Sequence, residues 1–409
     1  MFSSLFARLR HLRRQRRRLQ LEALLSQTDV AALAGQAPPD QSRVLVVRND
    51  SIGDYLLYRP WLRRLSEELA SQGRTITLMA NDLWAPLAQA WDGDVLAEII
   101  PVSFGRFMQD MAYRRQVLHR IGQVGSGEVI YPLHVREEAV ENFIRFLQAP
   151  VRVASQGTHV QEPWFALLNA SYTQLLPTTR TVLFEYDRNR EFFENWQRLV
   201  AGHPTNAPEP APLRLPASMQ QQAAAQVAAR GRYILLFPGA SAKQKRWPPA
   251  HFAKLARALH AQLGPAYRLV IAGSPADEAL AQHISRLAGP GVPLDNRCGQ
   301  TSLPELAALV AGAQLLISND TVAAHLAAQA GTPCLVLLMG ENYGKFFPYP
   351  AALLRAPCQC LFPPSQEARF ARHDFSPPAS DPVISRIAPS RVLAAATDLL
   401  RSASPTGSE

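Results

Sequence analysis

The stretch Val44-Leu45-Val46-Val47-Arg48-Asn49-Asp50-Ser51-Ile52-Gly53-Asp54 decides the fold. Its four apolar residues predict a buried strand, Gly53 predicts a tight turn, and the apolar spacing that follows predicts a helix over residues 55–69. Asp54 then stands at the carboxyl end of a parallel strand, where open α/β sheets hold their ligands. A carboxylate there suits a general base, and it equally suits an N-cap for the free amides of the helix.

Strands and helices alternate along the rest of the chain. The predicted strands are residues 44–48, 75–80, 97–102, 129–133 and 151–154, then 233–237, 268–272, 292–294, 314–318 and 334–338. The predicted helices between them include 108–121, 137–147, 218–230, 249–263, 277–287, 303–311 and 321–330. This order predicts an α/β fold with two Rossmann-like, doubly wound parallel-sheet domains. We expect the two domains to face each other across a ligand-binding cleft.

Four segments are expected along the chain. Residues 1–41 form a basic amphipathic extension, 42–212 the first sheet domain, 213–388 the second, and 389–409 a C-terminal helix with its tail. The junction between the sheet domains is the proline-dense passage 203–216, because prolines at that density exclude a helix interior.

The composition is that of a soluble globular protein of two domains. The 409 residues are 47% hydrophobic and 18% charged, and no run of about 18 apolar residues could span a bilayer. The four cysteines are too few and too scattered for a disulfide framework, and they lack a zinc spacing. We therefore expect a reducing compartment and no metal site.

The positive charge is concentrated at the N-terminus. Residues 1–20 carry seven arginines and no acid, which leaves about +2 of the net charge of +9 for the rest of the chain. Apolar residues in the same segment are spaced as one helix face, so we expect a helix that lies on an anionic membrane surface. A nucleic-acid-binding or solvated arm and a mitochondrial transit peptide are the alternatives.

A second motif, residues 237–248, joins a strand to a helix through Phe-Pro-Gly-Ala-Ser-Ala-Lys-Gln-Lys-Arg-Trp-Pro. Gly239 lets the backbone approach a ligand, Ser241 offers a hydroxyl, and Lys245 and Arg246 offer positive charge. Phosphate groups require this combination, although a solvated basic loop would have the same composition.

A third motif runs from strand to helix through Ser318-Asn319-Asp320-Thr321-Val322-Ala323-Ala324-His325. The amides of Val322 and Ala323 and the hydroxyl of Thr321 could hold an oxyanion. The alternative is an N-cap at Asp320 with His325 packed in the helix. In a fourth segment, 273–278, Asp277 and Glu278 suit a pair of ribose hydroxyls, although acids are common in any first helical turn.

Together these segments resemble glycosyltransferase family 9, the heptosyltransferases, over roughly residues 43–400. The family transfers sugars from nucleotide-diphosphate donors to lipopolysaccharide core and related acceptors. The resemblance implies the GT-B arrangement, with residues 42–212 on the acceptor side and residues 213–388 binding the nucleotide sugar. It also implies a protein without cofactors, whose donor carries ADP and heptose by default.

The resemblance also implies roles for individual residues. Asp54 matches the family's catalytic base, with Ser51 and Gly53 beside it in the cleft. Lys245 matches a lysine that contacts donor phosphate, and Asp277 or Glu278 lies where the ribose is held. The remaining matched positions are Gly239, Ser241 and Arg246 in the basic loop, and Asp320, Thr321, Val322, Ala323 and His325 in the pyrophosphate loop.

Three features depart from the family. The family usually has glycine where this chain has Val322, and a β-branched residue disfavours positive φ and close backbone approach. The cysteines of Cys358-Gln359-Cys360 are closer together than in relatives. Residues 1–41 lie outside the resemblance entirely.

The resemblance leads us to expect an inverting, metal-independent glycosyltransferase at the cytoplasmic face of the inner membrane. Asp54 would deprotonate the acceptor hydroxyl, and cations with a helix terminus would take the place of a divalent ion. The expected partners are the donor, a glycolipid or oligosaccharide acceptor and the membrane, with no nucleic acid. A nucleotide-sugar epimerase on the same fold and a catalytically degenerate nucleotide-sugar-binding scaffold remain alternatives.

Overall fold

The structure is a computed structural model that describes residues 2–158, 161, 165–205, 211–376 and 383–403, with backbone alone for residues 2–15. Residues 206–210 of the predicted junction and 404–409 of the tail lie outside the described residues, as do the side chains of the predicted apolar face before residue 16. The chain divides into two compact units, Met1–Thr181 with Tyr186–Ala207, and Val182–Glu185 with Pro208–Glu409.

The first unit contains a six-stranded parallel sheet of order β3-β2-β1-β4-β5-β6. Its strands are β1 Asp40–Arg48, β2 Thr75–Asn81, β3 Glu98–Val102, β4 Ser126–Tyr131, β5 Val151–Ser155 and β6 Gln174–Leu176. Its helices are α1 Phe2–Leu33, α2 Ile52–Ser71, α3 Ala85–Asp92, α4 Phe104–Gln109, α5 Met111–Val124, α6 Glu138–Glu141 and α7 Ala166–Ser171, with most of α8 Glu185–Trp196. The apolar residues 44–47 of β1 are fully buried, which makes this strand the centre of the core.

The N-terminal helix α1 is part of the first unit. Its second half buries Leu25 and Leu33, and Asp29 forms a fully buried ion pair with Arg114 of α5, with Oδ1 2.5 Å from Nε and Oδ2 2.7 Å from Nη2. Asn142 donates to the same carboxylate at 2.7 Å. Residues 1–41 therefore differ from the separate extension that we expected, because this paired carboxylate fixes the end of α1 to the sheet domain.

The second unit repeats the architecture with a six-stranded parallel sheet of order β12-β11-β10-β7-β8-β9. Its strands are β7 Tyr233–Phe237, β8 Arg268–Ile271, β9 Leu294–Asn296, β10 Leu315–Asn319, β11 Cys334–Leu337 and β12 Cys358–Leu361. Its helices are α9 Ser218–Arg230, α10 Pro249–Leu263, α11 Glu278–Ala288, α12 Leu303–Gly312, α13 Val322–Ala330, α14 Pro364–Phe370 and α15 Pro389–Ala403. Val392 and Ala396 of α15 are buried in the core of this unit, so this helix joins the second sheet domain, unlike the separate segment 389–409 that we expected.

The predicted fold class is confirmed, and the differences are local. The helix predicted over residues 108–121 is two helices, because Asp110 caps α5 by accepting from the amides of Ala112 and Tyr113 at 3.1 and 3.0 Å. The helix predicted over 137–147 is α6 followed by a 3₁₀ turn at Asn142–Phe146. Among the described residues, no helix is both long and apolar enough to cross a membrane.

Candidate functional site

In the first unit, Asp54 lies in the first turn of α2, at the carboxyl end of β1. Its Oδ2 accepts hydrogen bonds from the hydroxyl of Ser51 and, at 3.2 Å, from the amide of Ser51, which is a capping box. Its Oδ1 accepts no hydrogen bond from the part of the chain that the structure describes. The capping role is therefore present, and it leaves one carboxylate oxygen for a ligand.

The position of Gly53 differs from the prediction. Helix α2 begins at Ile52, so Gly53 belongs to the first helical turn, and the chain turns before it at Asn49–Ser51. The side chain of Ser51 is exposed at this turn.

The peptide that orients Asp54 is held from both sides. The amide of Ser51 donates to Asp54, while the carbonyl of the same peptide, that of Asp50, accepts from Asn81 Nδ2 and Trp84 Nε1, each at 3.0 Å. Trp84 is fully buried and stacks on Tyr55 of α2 with ring centroids 4.5 Å apart. The carboxylate of Asp54 is thus attached to a rigid support.

A second carboxyl lies beside this turn. Asp50 pairs through Oδ2 with Arg48, whose side chain is fully buried, and the side chain of Asp50 is 11% exposed. The other oxygen, Oδ1, is buried without a hydrogen-bond partner among the described residues. Burial raises the pKa of Asp50 to about 7, Arg48 opposes this shift, and the charge of Asp54 adds to it.

In the second unit, the basic loop and the loop after β10 meet at the carboxyl edge of the sheet. Strands β7 and β10 are adjacent, and the strand order reverses between them, which is where doubly wound sheets bind ligands. The ammonium of Lys245 lies 2.9 Å from Oδ2 of Asp320, and the two side chains are 21% and 16% exposed. The structure thus brings together a predicted cation and a predicted loop residue that are 75 positions apart.

Asn319 ties these two loops to each other. Its Nδ2 donates to the carbonyl of Pro238 at 2.8 Å, and its Oδ1 accepts from the amide of Trp247 at 3.2 Å. Trp247 is itself buried, and its Nε1 donates to the carbonyl of Ile387 at 2.9 Å. The basic loop is therefore closed at both ends by one buried amide side chain.

The basic loop uses its predicted residues in different ways. Ser241 is exposed. The guanidinium of Arg246 donates from Nε and Nη2 to the carbonyl of Ala240, at 3.0 and 2.8 Å, so Arg246 holds the loop in shape. Gly239 is required by space, because a Cβ there would lie 2.6 Å from Oδ2 of Asp277.

The start of α13 differs from the alternative of a cap at Asp320. Thr321 is the N-cap, with its hydroxyl oxygen 3.3 Å from the amide of Ala323, and the helix begins at Val322. Asp320 is left to accept from Lys245. Positive φ among described non-glycine residues is recorded only for His373, so Val322 is accommodated without backbone strain. Its side chain, and not its backbone conformation, is what a ligand at this helix start would meet.

His325 is packed inside the second unit. It is 5% exposed, its Nδ1 lies 2.8 Å from the hydroxyl of Tyr349, and its ring lies 4.8 Å from that of Phe347. This agrees with the packed alternative and places His325 next to the segment that follows β11.

The two acids after β8 differ in their availability. Asp277 is 6% exposed and accepts from the amide and hydroxyl of Ser274 at 3.0 and 2.7 Å, which is another capping box. Glu278 is half-buried and accepts from Asn296 of β9 at 3.2 Å. The assignment of either acid to a ribose remains a prediction.

The sequence reasoning missed the wall of a recess beside Lys245 and Asp320. The recess encloses about 360 Å³ of empty space. Its wall comes from the ends of β11 and β12 and from the segment between them, and includes Glu341, Asn342, Tyr343, Phe346, Phe347 and Phe362. The signal was present in the sequence, since three of these aromatic residues follow directly after a predicted strand.

Within the described ranges, no group of three or more His, Cys, Asp or Glu side chains is arranged to hold a metal ion. All four cysteines are free thiols.

Comparisons with known proteins agree with this geometry. The family model of glycosyltransferase family 9 (heptosyltransferase) matches residues 139–355. The chain is 24% identical to lipooligosaccharide heptosyltransferase 2 of Haemophilus ducreyi over 75% of this chain and 85% of that protein. It is 28% identical to lipopolysaccharide heptosyltransferase 3 of Escherichia coli, over 49% of this chain and 55% of that protein. A shorter match, 35% identical, covers 27% of this chain and 32% of lipooligosaccharide heptosyltransferase 2 of Haemophilus influenzae.

Solved structures share the fold. A glycosyl transferase family 9 protein from Veillonella parvula superposes with a TM-score of 0.64 at 20% identity, over 90% of this chain and 99% of the other. An E. coli heptosyltransferase with ADP-2-deoxy-2-fluoro heptose gives 0.62 at 19% identity, over 87% and 99%. Because the family model covers more than half of the 409 residues, this chain belongs to glycosyltransferase family 9.

Proposed function

We propose that the protein is an inverting, metal-independent glycosyltransferase that uses a nucleotide-diphosphate sugar, ADP-heptose by default. The acceptor would be lipopolysaccharide core or a related glycolipid. The observation that carries the proposal is the pairing of Lys245 with Asp320 at the point where the strand order of the second sheet reverses. Lys245, the helix start at Thr321–Val322 and the adjoining recess together suit a pyrophosphate with an attached group.

The reaction that we propose forms one bond and breaks one. The acceptor hydroxyl oxygen attacks the anomeric carbon, its proton passes to Asp54, and the bond from that carbon to the phosphate oxygen breaks. The departing nucleoside diphosphate gains one negative charge. Lys245 and the amides at the start of α13 would stabilise this charge as it develops. No cofactor takes part in these steps.

The structure supports separate duties for the charged residues of the second unit. Lys245 is held by Asp320 and is still 21% exposed, so it can turn to a phosphate. Arg246 is engaged by its own loop and would act by fixing the loop backbone. Asp320, being an anion, would position Lys245, since its carboxylate would repel phosphate.

We also propose that residues 1–20 lie on the anionic cytoplasmic face of the inner membrane. Arg18 and Glu22 pair with Glu138 and Arg145 of the first unit, while Arg16 and Arg17 are exposed. Each arginine near an anionic surface contributes roughly 1 kcal/mol, so the seven arginines would suffice for reversible attachment.

Vesicle sedimentation tests the membrane proposal. The full chain should sediment with vesicles that contain phosphatidylglycerol and should stay in solution with phosphatidylcholine alone. A chain without residues 1–20 should stay in solution with both. Equal sedimentation of the two chains with anionic vesicles would remove the proposal.

A panel of nucleoside-diphosphate sugars tests the reaction. Incubation with each donor and a lipopolysaccharide-core acceptor should give a glycosylated acceptor and free nucleoside diphosphate with one donor or a few. Isomerised sugar formed from donor alone would indicate an epimerase. Saturable donor binding without any product would indicate a scaffold.

A further inference from the structure

We propose that Asp50 is a positioning carboxyl that strengthens Asp54 as a proton acceptor when Asp50 is ionised. The proposal rests on the proposed function, because it concerns the base of that reaction. Asp50 is separated from the reactants in our account, so it would act through Asp54.

The geometry places the two carboxyls around one peptide. Asp54 accepts from the amide of Ser51 at 3.2 Å, and the carbonyl half of that peptide belongs to Asp50. Asn81 and Trp84 hold this carbonyl, so the two carboxyls cannot separate without breaking buried hydrogen bonds.

The surroundings of Asp50 are incompletely matched to its charge. Arg48 donates to its Oδ2 and also, at 3.1 Å, to Asn189 of α8, and it lies 3.9 Å from the ring centroid of Tyr58. Nothing among the described residues donates to Oδ1, which is buried. A carboxyl that is half satisfied and buried can exist in either protonation state near neutral pH.

The groups that face Asp50 leave Asp54 as its main partner in titration. Arg48 of β1 keeps its positive charge at all relevant pH values. Burial raises the pKa of Tyr58 of α2 to about 12, so this phenol is neutral. Asn81, Trp84 and Asn189 carry no charge. The charge of Asp54 raises the pKa of Asp50, and since such coupling is reciprocal, ionised Asp50 favours proton uptake by Asp54.

The consequence is a pH-dependent rate. Below about pH 7 Asp50 is neutral, and the charge of Arg48 then acts on the base unopposed. Above that pH the second negative charge appears and helps Asp54 to accept the acceptor proton. Coupling between neighbouring carboxyls of about one pKa unit, half expressed in the transition state, gives a rise in kcat of about threefold to tenfold.

The test is the pH profile of kcat for Asp50→Asn, measured with ADP-heptose and a lipopolysaccharide-core acceptor. At pH 8 the variant should be about threefold to tenfold slower than the wild type, and near pH 6 the two should converge. Asp82→Asn, an exposed carboxyl after β2, is the matched control and should keep the wild-type profile. Should Asp50→Asn fail to fold with Arg48 unpaired, the double variant Arg48→Met/Asp50→Asn removes both charges and should also lack the rise near pH 7.

A second readout does not need turnover. In protein labelled with ¹³C at aspartate carboxyls, the titration midpoint of Asp50 should move to lower pH in Asp54→Asn. An unchanged midpoint, or a wild-type rate profile in Asp50→Asn, overturns the role of Asp50 alone. Absence of transfer with every donor overturns the proposed function and this role with it.

Discussion

Replacing Lys245 with methionine should weaken binding of a nucleoside-diphosphate sugar by roughly 30- to 150-fold. A hydrogen bond to a charged group is worth about 1.5–3 kcal/mol, and each 1.4 kcal/mol is tenfold in Kd. We expect the upper part of that range, about 2–3 kcal/mol, because the variant also leaves Asp320 unpaired beside the donor phosphates.

The pairing geometry makes a sharper prediction for the double variant. Adding Asp320→Asn to Lys245→Met removes the repulsive charge that the first substitution exposes. We therefore expect the double variant to bind the donor about tenfold more tightly than Lys245→Met, which corresponds to about 1.4 kcal/mol of coupling.

Isothermal titration calorimetry with ADP-heptose measures all of these affinities, and thermal unfolding confirms that each variant is folded. Lys243→Met is the matched control, because Lys243 is an exposed lysine of the same loop. It should bind the donor within about twofold of the wild type. Equal losses in Lys243→Met and Lys245→Met would refute the assignment of Lys245 to phosphate.

Three further outcomes are expected. Asp29→Ala leaves the buried guanidinium of Arg114 without its counter-ion and should cost about 3–5 kcal/mol of unfolding free energy in urea, whereas the exposed Asp82→Ala should cost little. Gly239→Ala places a Cβ 2.6 Å from Asp277 Oδ2 and should cost about 1–3 kcal/mol with weaker donor binding, while Gly35→Ala, which meets nothing within 4 Å, should cost less. Because burial raises the pKa of Asp50 to about 7, the folded chain holds a proton that the unfolded chain releases above about pH 4. This contribution to stability is therefore greatest below about pH 4 and is lost as the pH rises to 7, and urea titrations of Asp50→Asn over that range should lack the decline.

The sequence was sufficient for the architecture because local and tertiary preferences agree in most elements. The limits of β7, α9 and α10 coincide with the predicted ranges, since each has clear apolar periodicity and a proline or glycine at its boundary. The edge strands β6 and β12 were missed, because they are short and their residues are half-buried and polar, as in Cys358-Gln359-Cys360.

The candidate site was predicted in part. Motif position identified Lys245 and Asp320, but only the structure shows that they pair, because strand adjacency between β7 and β10 is not local information. Asp50 escaped notice because a polar residue after a strand is common, and its significance depends on the burial of Arg48 and Trp84 around it. The aromatic wall of the recess was missed for the same reason, since it combines residues from two strand ends.

Single-turnover transfer by Asp54→Asn, measured at saturating donor and acceptor, tests the central claim most directly. The asparagine can keep the hydrogen bonds to Ser51 through its oxygen but cannot accept the proton. The account predicts donor affinity within a fewfold of the wild type and a rate lower by about 10²–10⁴. A folded Asp54→Asn protein that transfers sugar at a rate near that of the wild type would contradict it.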